Sequence, residues 1–201
     1  VSLSPDYFEQ LFSASDDPWS FRTRWYEKRK RELTLASLPR QRYQRVFEPG
    51  CANGELSARL AERCDSLLCQ DLNEKAVELA RSRLSQHHHV RVEQARMPRD
   101  WPNGEFDLIV LSEVGYFLDP GEWAQVIENT LRSLSQEGGV LACHWLHPIE
   151  VDGCSQDGRE AHRALAQGLG LHRRIRHEET DFLLEYWCRH SASIDLAETS
   201  D

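Results

Sequence analysis

Glu48-Pro49-Gly50-Cys51-Ala52-Asn53-Gly54 decides the reading of this sequence. Before it stands a short apolar strand, Arg45-Val46-Phe47-Glu48. After it, Glu55 to Arg63 sets Leu56, Leu60 and Ala61 on one helical face. Strand, glycine turn and helix, in that order, open a doubly wound sheet, in which ligands bind beyond the carboxyl ends of the strands. Gly50 and Gly54 let the backbone turn tightly and approach a ligand closely. The helix start aims its free amides at the same place. Asp71 follows Gly54 by seventeen residues, at the end of a second strand, Ser66-Leu67-Leu68-Cys69-Gln70. A carboxylate there can accept both hydroxyls of a ribose.

Working outward, the same alternation continues. Asn73 suits an N-cap for a helix with Ala76, Val77, Ala80 and Leu84 inward. Val90-Arg91-Val92-Glu93 reads as a third strand. Phe106 to Leu111 is the most apolar, as a central parallel strand should be. Asp119-Pro120-Gly121-Glu122 carries three agreeing helix-start signals. Trp123, Val126, Ile127, Leu131 and Leu134 form that helix's stripe, with Gly138-Gly139 as its stop. Val140 to Cys143 makes a fifth strand and Glu160 to Leu169 a further helix. Leu171 to Arg176 and Phe182 to Arg189 read as an antiparallel hairpin at a sheet edge. Upstream, Asp6 to Phe12 has a helical apolar stripe, Asp16-Asp17-Pro18-Trp19 breaks it, and Phe21 to Ala36 makes a second helix. Its charge run, Lys28-Arg29-Lys30-Arg31-Glu32, reads as a solvated face. The expectation is an α/β fold: a doubly wound, seven-stranded, mostly parallel sheet with an N-terminal helical cap. Residues 1–40 form the cap, 41–190 the α/β part of the same domain, and 191–201 a polar tail.

Composition bounds the function. The chain has 201 residues, 40% hydrophobic and 28% charged, which suits one folded domain. Its 33 acidic residues against 24 basic ones give a net charge of −9, which argues against a generic nucleic-acid or anionic-membrane binder. His172-Arg173-Arg174-Ile175-Arg176 is the one basic patch and reads better as an edge strand guarded by charge. No apolar run approaches the roughly 20 residues that span a bilayer, and no basic-plus-apolar leader opens the chain, so a cytoplasmic protein is expected. The six cysteines lie among apolar neighbours, as small buried hydrophobes in a reducing compartment do. His87-His88-His89 falls in a loop and lacks a second ligand cluster, so no metal is expected.

The ligand follows from charge and spacing. G-x-x-x-G is not the G-x-G-x-x-G of a dinucleotide site. Glu48 would repel a pyrophosphate but favour a cation, which tips the balance from a nicotinamide cofactor toward S-adenosylmethionine. At this point the sequence resembles a family. The glycine segment, Asp71-Leu72, and Phe106 to Val114 are similar to successive motifs of class I S-adenosylmethionine-dependent methyltransferases. More narrowly, Asp16-Asp17-Pro18-Trp19 and Ser112-Glu113-Val114-Gly115-Tyr116-Phe117-Leu118 resemble NodS, a family that N-methylates the sugar amine of a chitooligosaccharide signal. The resemblance implies a Rossmann-like methyltransferase fold and a set of roles. Gly50, Cys51, Ala52 and Gly54 would line the methionyl part of the cofactor, with Glu48 orienting it. Asp71 would bind ribose and Leu72 pack on adenine. Arg96 and Met97 would meet the adenine edge, although many relatives carry Asp where Arg96 stands and Arg accepts no hydrogen bond. Leu111, Ser112 and Glu113 would lie beneath the sulfonium.

Other roles stay open at this level. Glu113, His144 or His147 could take a proton from an acceptor that Tyr116 orients; each could equally be a surface group. Trp19 and Tyr26 could cover the cofactor or simply pin the cap. The expected function is methyl transfer to a small molecule, an amine such as an amino sugar being preferred. The alternatives are an O-methyltransferase of a small hydroxyl or carboxyl acceptor, and a catalytically silent cofactor-binding module. An RNA substrate is disfavoured by the acidic balance, and either a monomer or a homodimer would serve.

Overall fold

Every second residue of the central strands faces the same way, and here both faces are apolar. Val46, Leu108, Val110, Leu141 and Tyr186 enter one core; Phe47, Ile109, Leu111, Val140, Ala142 and Trp187 enter the other. Such strands are stable only with a layer on each side. The computed structural model describes residues 2–149, 151, 154 and 156–190, and in it both layers are helical. The seven strands are β1 (Tyr43–Pro49), β2 (Cys64–Asp71), β3 (Val90–Gln94), β4 (Phe106–Ser112), β5 (Leu134–Trp145), β6 (His172–Glu178) and β7 (Phe182–Cys188). The helices are α1 (Pro5–Ala14), α2 (Trp25–Ala36), α3 (Glu55–Ala61), α4 (Glu74–Arg83), α5 (Pro120–Ser133) and α6 (Gly158–Gly168). The first core takes Leu35 from α2, Leu60 from α3 and Ala80 from α4; the second takes Trp123, Val126 and Ile127 from α5 with Ala161 and Leu165 from α6.

The sheet order is β3-β2-β1-β4-β5-β7-β6. β1 to β5 pair in parallel, while β7 runs antiparallel to both β5 and β6. The chain moves outward from β1 to β3, then returns to start β4 on the other side of β1. That reversal is the switch point, and it opens a crevice past the ends of β1 and β4. The expected seven-stranded, mostly parallel sheet is therefore present, with the hairpin at the edge and basic β6 outermost.

Several local expectations hold for the stated reasons. The Asn73 side chain accepts from Ala76 N–H, and Asp119 accepts from Gly121 and Glu122 N–H ahead of Pro120. Others need correction. The second helix begins at Trp25, because the Asp17 carboxylate accepts from Phe21 and Arg22 N–H and holds a turn there. α6 starts two residues early, through a capping box between Asp157 and Glu160. Gly138 and Gly139 do not stop α5. The helix ends at Ser133, and Leu134 already belongs to β5, which runs through both glycines. Their reason is packing: a Cβ on Gly139 would lie 1.9 Å from the Tyr186 hydroxyl oxygen. The 191–201 tail lies outside the described residues. Among the described residues no helix is long and apolar enough to cross a membrane.

Tyr186 is buried, so it cannot swing away from a new methyl group. Gly139→Ala should cost about 2 kcal/mol through overpacking, read as a lower urea midpoint. An unchanged midpoint would contradict this packing.

Candidate functional site

The glycine segment turns where β1 ends. Gly50 has φ +74°, and a Cβ there would lie 2.4 Å from Val114 Cγ1, so only glycine fits. Gln70 O at the end of β2 accepts from Gly50 and Cys51 N–H at 2.6 and 3.0 Å. Gly54, at φ +78°, opens α3. A Cβ there would meet Ala80 Cα at 3.1 Å. Its role is therefore to seat α3 on α4; it does not line the cavity, as the resemblance had implied. Asn53 does. Its amide nitrogen donates to Asp16 O and the Asp17 carboxylate, tying the glycine segment to the Asp16-Asp17-Pro18-Trp19 turn.

Beyond the strand ends lies a cavity of about 450 Å³. Its roof is aromatic: Phe8 and Phe12 from α1, then Trp19 and Phe21, with Phe12–Trp19 and Trp19–Phe21 centroids 5.7 and 5.5 Å apart. At the β2–β3 end stand Asp71, Leu72, Arg96 and Met97. Asp71 Oδ2 accepts from Ala52 N–H and Oδ1 from Asn73 N–H, both at 2.9 Å. Burial raises its pKa while these amides oppose the rise. Each oxygen keeps a lone pair for a ligand hydroxyl. Glu48 is buried beneath the glycine turn, accepts from Ser57 Oγ at 2.5 Å, and has its pKa pushed up to about 7 by that burial. The Arg96 side chain is partly exposed, within 3.7 Å of Glu122, while the Arg96 backbone N–H donates to the Asp100 carboxylate.

The β4–β5 end is polar and crowded. Glu113 stands directly after β4 with φ +58°, a conformation that costs a residue with a Cβ about 1 kcal/mol or more. Three donors hold it there: Lys30 Nζ at 2.6 Å on Oε1, with Trp145 N–H at 3.0 Å and the Tyr116 hydroxyl on Oε2. Lys30 also lies 3.0 Å from Glu27, with its ammonium 4.9 Å from the Tyr26 ring centroid. Burial opposes the Lys30 charge, but Glu113 and Glu27 hold its pKa above the usual lysine range. Burial likewise raises that of Glu27.

The charge run of α2 is thus not simply a solvated face. Lys30 is buried, and sequence reasoning missed it together with Glu27 and Asn53. The one available signal was Glu27 three residues before Lys30, a spacing that puts both on one helix face. Other candidates fall away from the cavity. Leu111 is wholly buried in the core below it. Tyr26 packs edge-on against Trp145 and Phe182, pinning α2 rather than covering a ligand. His144 is wholly buried, accepting from Gly115 N–H, and so is neither a surface group nor open to a substrate. His147 is a half-exposed partner of Asp181 at 2.7 Å. Glu48, Gly50, Cys51, Ala52, Asp71, Leu72, Arg96, Met97, Ser112, Glu113, Tyr116 and Trp19 all meet at the one cavity.

The family model of nodulation protein S (NodS) matches residues 5–144. The chain belongs to the NodS family. Nodulation protein S of Rhizobium tropici is 32% identical over 130 residues, 64% of this chain and 55% of that one. The chain therefore spans about half the length of that relative. A crystal structure of a provisionally assigned methyltransferase from Pseudomonas syringae is 53% identical, covering 82% of this chain and 99% of that one, with a TM-score of 0.73. The N-methyltransferase NodS of Bradyrhizobium japonicum WM9, solved with S-adenosyl-L-homocysteine, is 23% identical over 90% of this NodS-family chain and 96% of its own. Its TM-score of 0.80 identifies the fold as the Rossmann-like methyltransferase type.

Glu48 gives the site a pH signature. Its folded pKa, about 7, lies above the 4.5 of an ordinary glutamate, so folding favours its protonated form. The stability it contributes is full below about pH 4.5 and is lost as pH rises through about 7, a span worth about 3 kcal/mol. Glu48→Gln should remove that loss. The stability of the wild type minus that of the variant, from urea melts, should fall between these pH values. A difference independent of pH would contradict the buried carboxylate.

Proposed function

We propose that this chain is an S-adenosylmethionine-dependent methyltransferase acting on a small-molecule amine, an amino sugar being the preferred acceptor. One observation carries the reading. A half-buried, amide-held Asp71 at the tip of β2 faces a 450 Å³ cavity across a turn in which Gly50 admits no side chain. That volume suits a nucleoside with an amino-acid tail, and sites of this size are usual for cofactors. Leu72 and Met97 offer apolar surface to a base, Asp71 offers acceptors to a ribose, and Glu48 offers a carboxylate toward a cationic tail. The Met97 N–H remains the better partner for the base edge, since Arg96 is drawn toward Glu122.

S-adenosylmethionine supplies a methyl group already activated on a sulfonium, so the chain must provide alignment and dryness. Alignment of this kind is worth roughly 7–11 kcal/mol. Trp19, Phe12 and Phe8 exclude water from above. Glu113 takes three donors and keeps about one acceptor position free. That position orients an acceptor N–H, with Tyr116 and Trp145 bounding the space. Held by three donors, the carboxylate acts as an orienter, and the amine must attack in its neutral form. Two carboxylates against one ammonium leave the Glu27–Lys30–Glu113 group acidic in sum, which favours an amine over a carboxylate acceptor. The cap, residues 1–40, belongs to the same folded unit in this reading, since Lys30–Glu113 and the Leu3 N–H to Phe117 O bond join it to the sheet.

Calorimetric titration should give binding of S-adenosylmethionine and none of NAD, with Asp71→Ala at least about tenfold weaker. Release of S-adenosylhomocysteine should follow with glucosamine-type acceptors. Turnover with hydroxyl or carboxyl acceptors and none with amines would overturn the acceptor; binding of NAD in place of the methyl donor would overturn the whole reading.

A further inference from the structure

Behind the turn that carries Glu113 and Tyr116 runs a chain of buried polar groups that the proposed reaction does not use. Gly115 N–H donates to His144 Nε2 at 2.9 Å. That bond settles where the protons sit: Nε2 accepts, so the hydrogen of neutral His144 is on Nδ1. His144 Nδ1 is 3.1 Å from His162 Nε2, which must accept, so His162 carries its own hydrogen on Nδ1. That atom is 2.7 Å from Glu185 Oε2. Glu185 Oε1 in turn accepts from Arg173 and Arg176 of β6 at 2.8 and 2.7 Å. His144, His162 and Glu185 are 0%, 2% and 1% exposed. Burial keeps the His144 pKa well below the histidine range, in keeping with the neutral form the bonds require.

A core needs no such chain; apolar side chains would fill the space more cheaply, and a half-satisfied polar network is costly. Its inner end explains it. The Gly115 peptide is gripped from both sides, by His144 at its N–H and by Gln156 Nε2 at its carbonyl, 2.6 Å away. A Cβ on Gly115 would meet Ala161 Cβ at 2.8 Å and His144 Nε2 at 3.0 Å. The neighbouring residues are Val114, which abuts Gly50, and Glu113 and Tyr116 of the acceptor end. We propose that His162 and Glu185 are positioning residues, which act through His144 to hold the Gly115 amide and so set the 113–116 turn against the glycine segment. The idea rests on the cofactor reading given above.

His162→Leu removes the acceptor for His144 Nδ1–H, freeing His144 to move its proton to Nε2 and release Gly115. His162→Gln can replace both bonds, its amide oxygen accepting and its NH₂ donating to Glu185. Imidazole nitrogen NMR should show wild-type His144 protonated on Nδ1, with the Gln variant keeping that form and the Leu variant losing it. S-adenosylhomocysteine affinity should fall about tenfold in the Leu variant and recover to within about twofold of wild type in the Gln variant. Should the Leu variant fail to fold, His162→Asn, whose amide is too short to bridge, takes its place. Unchanged affinity in the broken variant, or a folded Gln variant as weak as it, would overturn the proposal. So would wild-type His144 protonated on Nε2. Absence of S-adenosylhomocysteine binding by the wild type would instead overturn the cofactor reading, while the nitrogen spectrum still decides the hydrogen-bond chain.

Discussion

The contact between Lys30 and Glu113 joins the cap to the turn after β4 at the wall of the cavity, where apolar packing alone would fix neither charge. Lys30 comes from the second helix of the cap; Glu113 stands directly after central strand β4. Taking both charges out of water costs several kcal/mol, and the Coulombic return alone is a poor reason to do so. The cost is offset because neither group stands alone. Glu113 also takes the Tyr116 hydroxyl and Trp145 N–H, and Lys30 also faces Glu27 and the Tyr26 ring. The outcome is geometric more than energetic: a carboxylate fixed in a strained backbone conformation, and a helix fixed over the cavity.

A division of labour follows from the strand order. Asp71 and the residues after β3 lie on one side of β1, while Glu113 and Trp145 lie on the other. The glycine segment sits at the boundary and is stitched to both sides, through Gln70 and Asp71 to β2 and through Gly50 against Val114 to the end of β4. In the proposed reading, a nucleoside and an acceptor meet at one point without sharing residues. The chain belongs to the NodS family, and its likeness to a NodS structure is a likeness of the fold.

The sheet was legible because its signals are local or periodic. The short apolar runs of β1 and β4, the caps at Asn73 and Asp119, and the glycine turn each act within a few residues. Gly50 and Asp71 were legible for the same reason: turn geometry and a strand end locate them. The failures share another cause. Lys30 looks like its neighbours Lys28 and Arg29 until tertiary packing turns it inward, and nothing in a charge run marks the one residue that will be buried. His144 and His147 look alike in sequence, yet their positions at the end of β5 and beyond it leave one wholly buried and the other half-exposed. Gly139 was misread as a helix stop because the requirement for glycine comes from Tyr186, far along the chain.

The most direct test of this account is a crystal structure of the protein with S-adenosylhomocysteine. The account predicts the ribose on Asp71, the base between Leu72 and Met97, and the sulfur directed toward Glu113, with the Lys30–Glu113 pair intact. A ligand lodged elsewhere, or one that enters only when Lys30 has parted from Glu113, would contradict it.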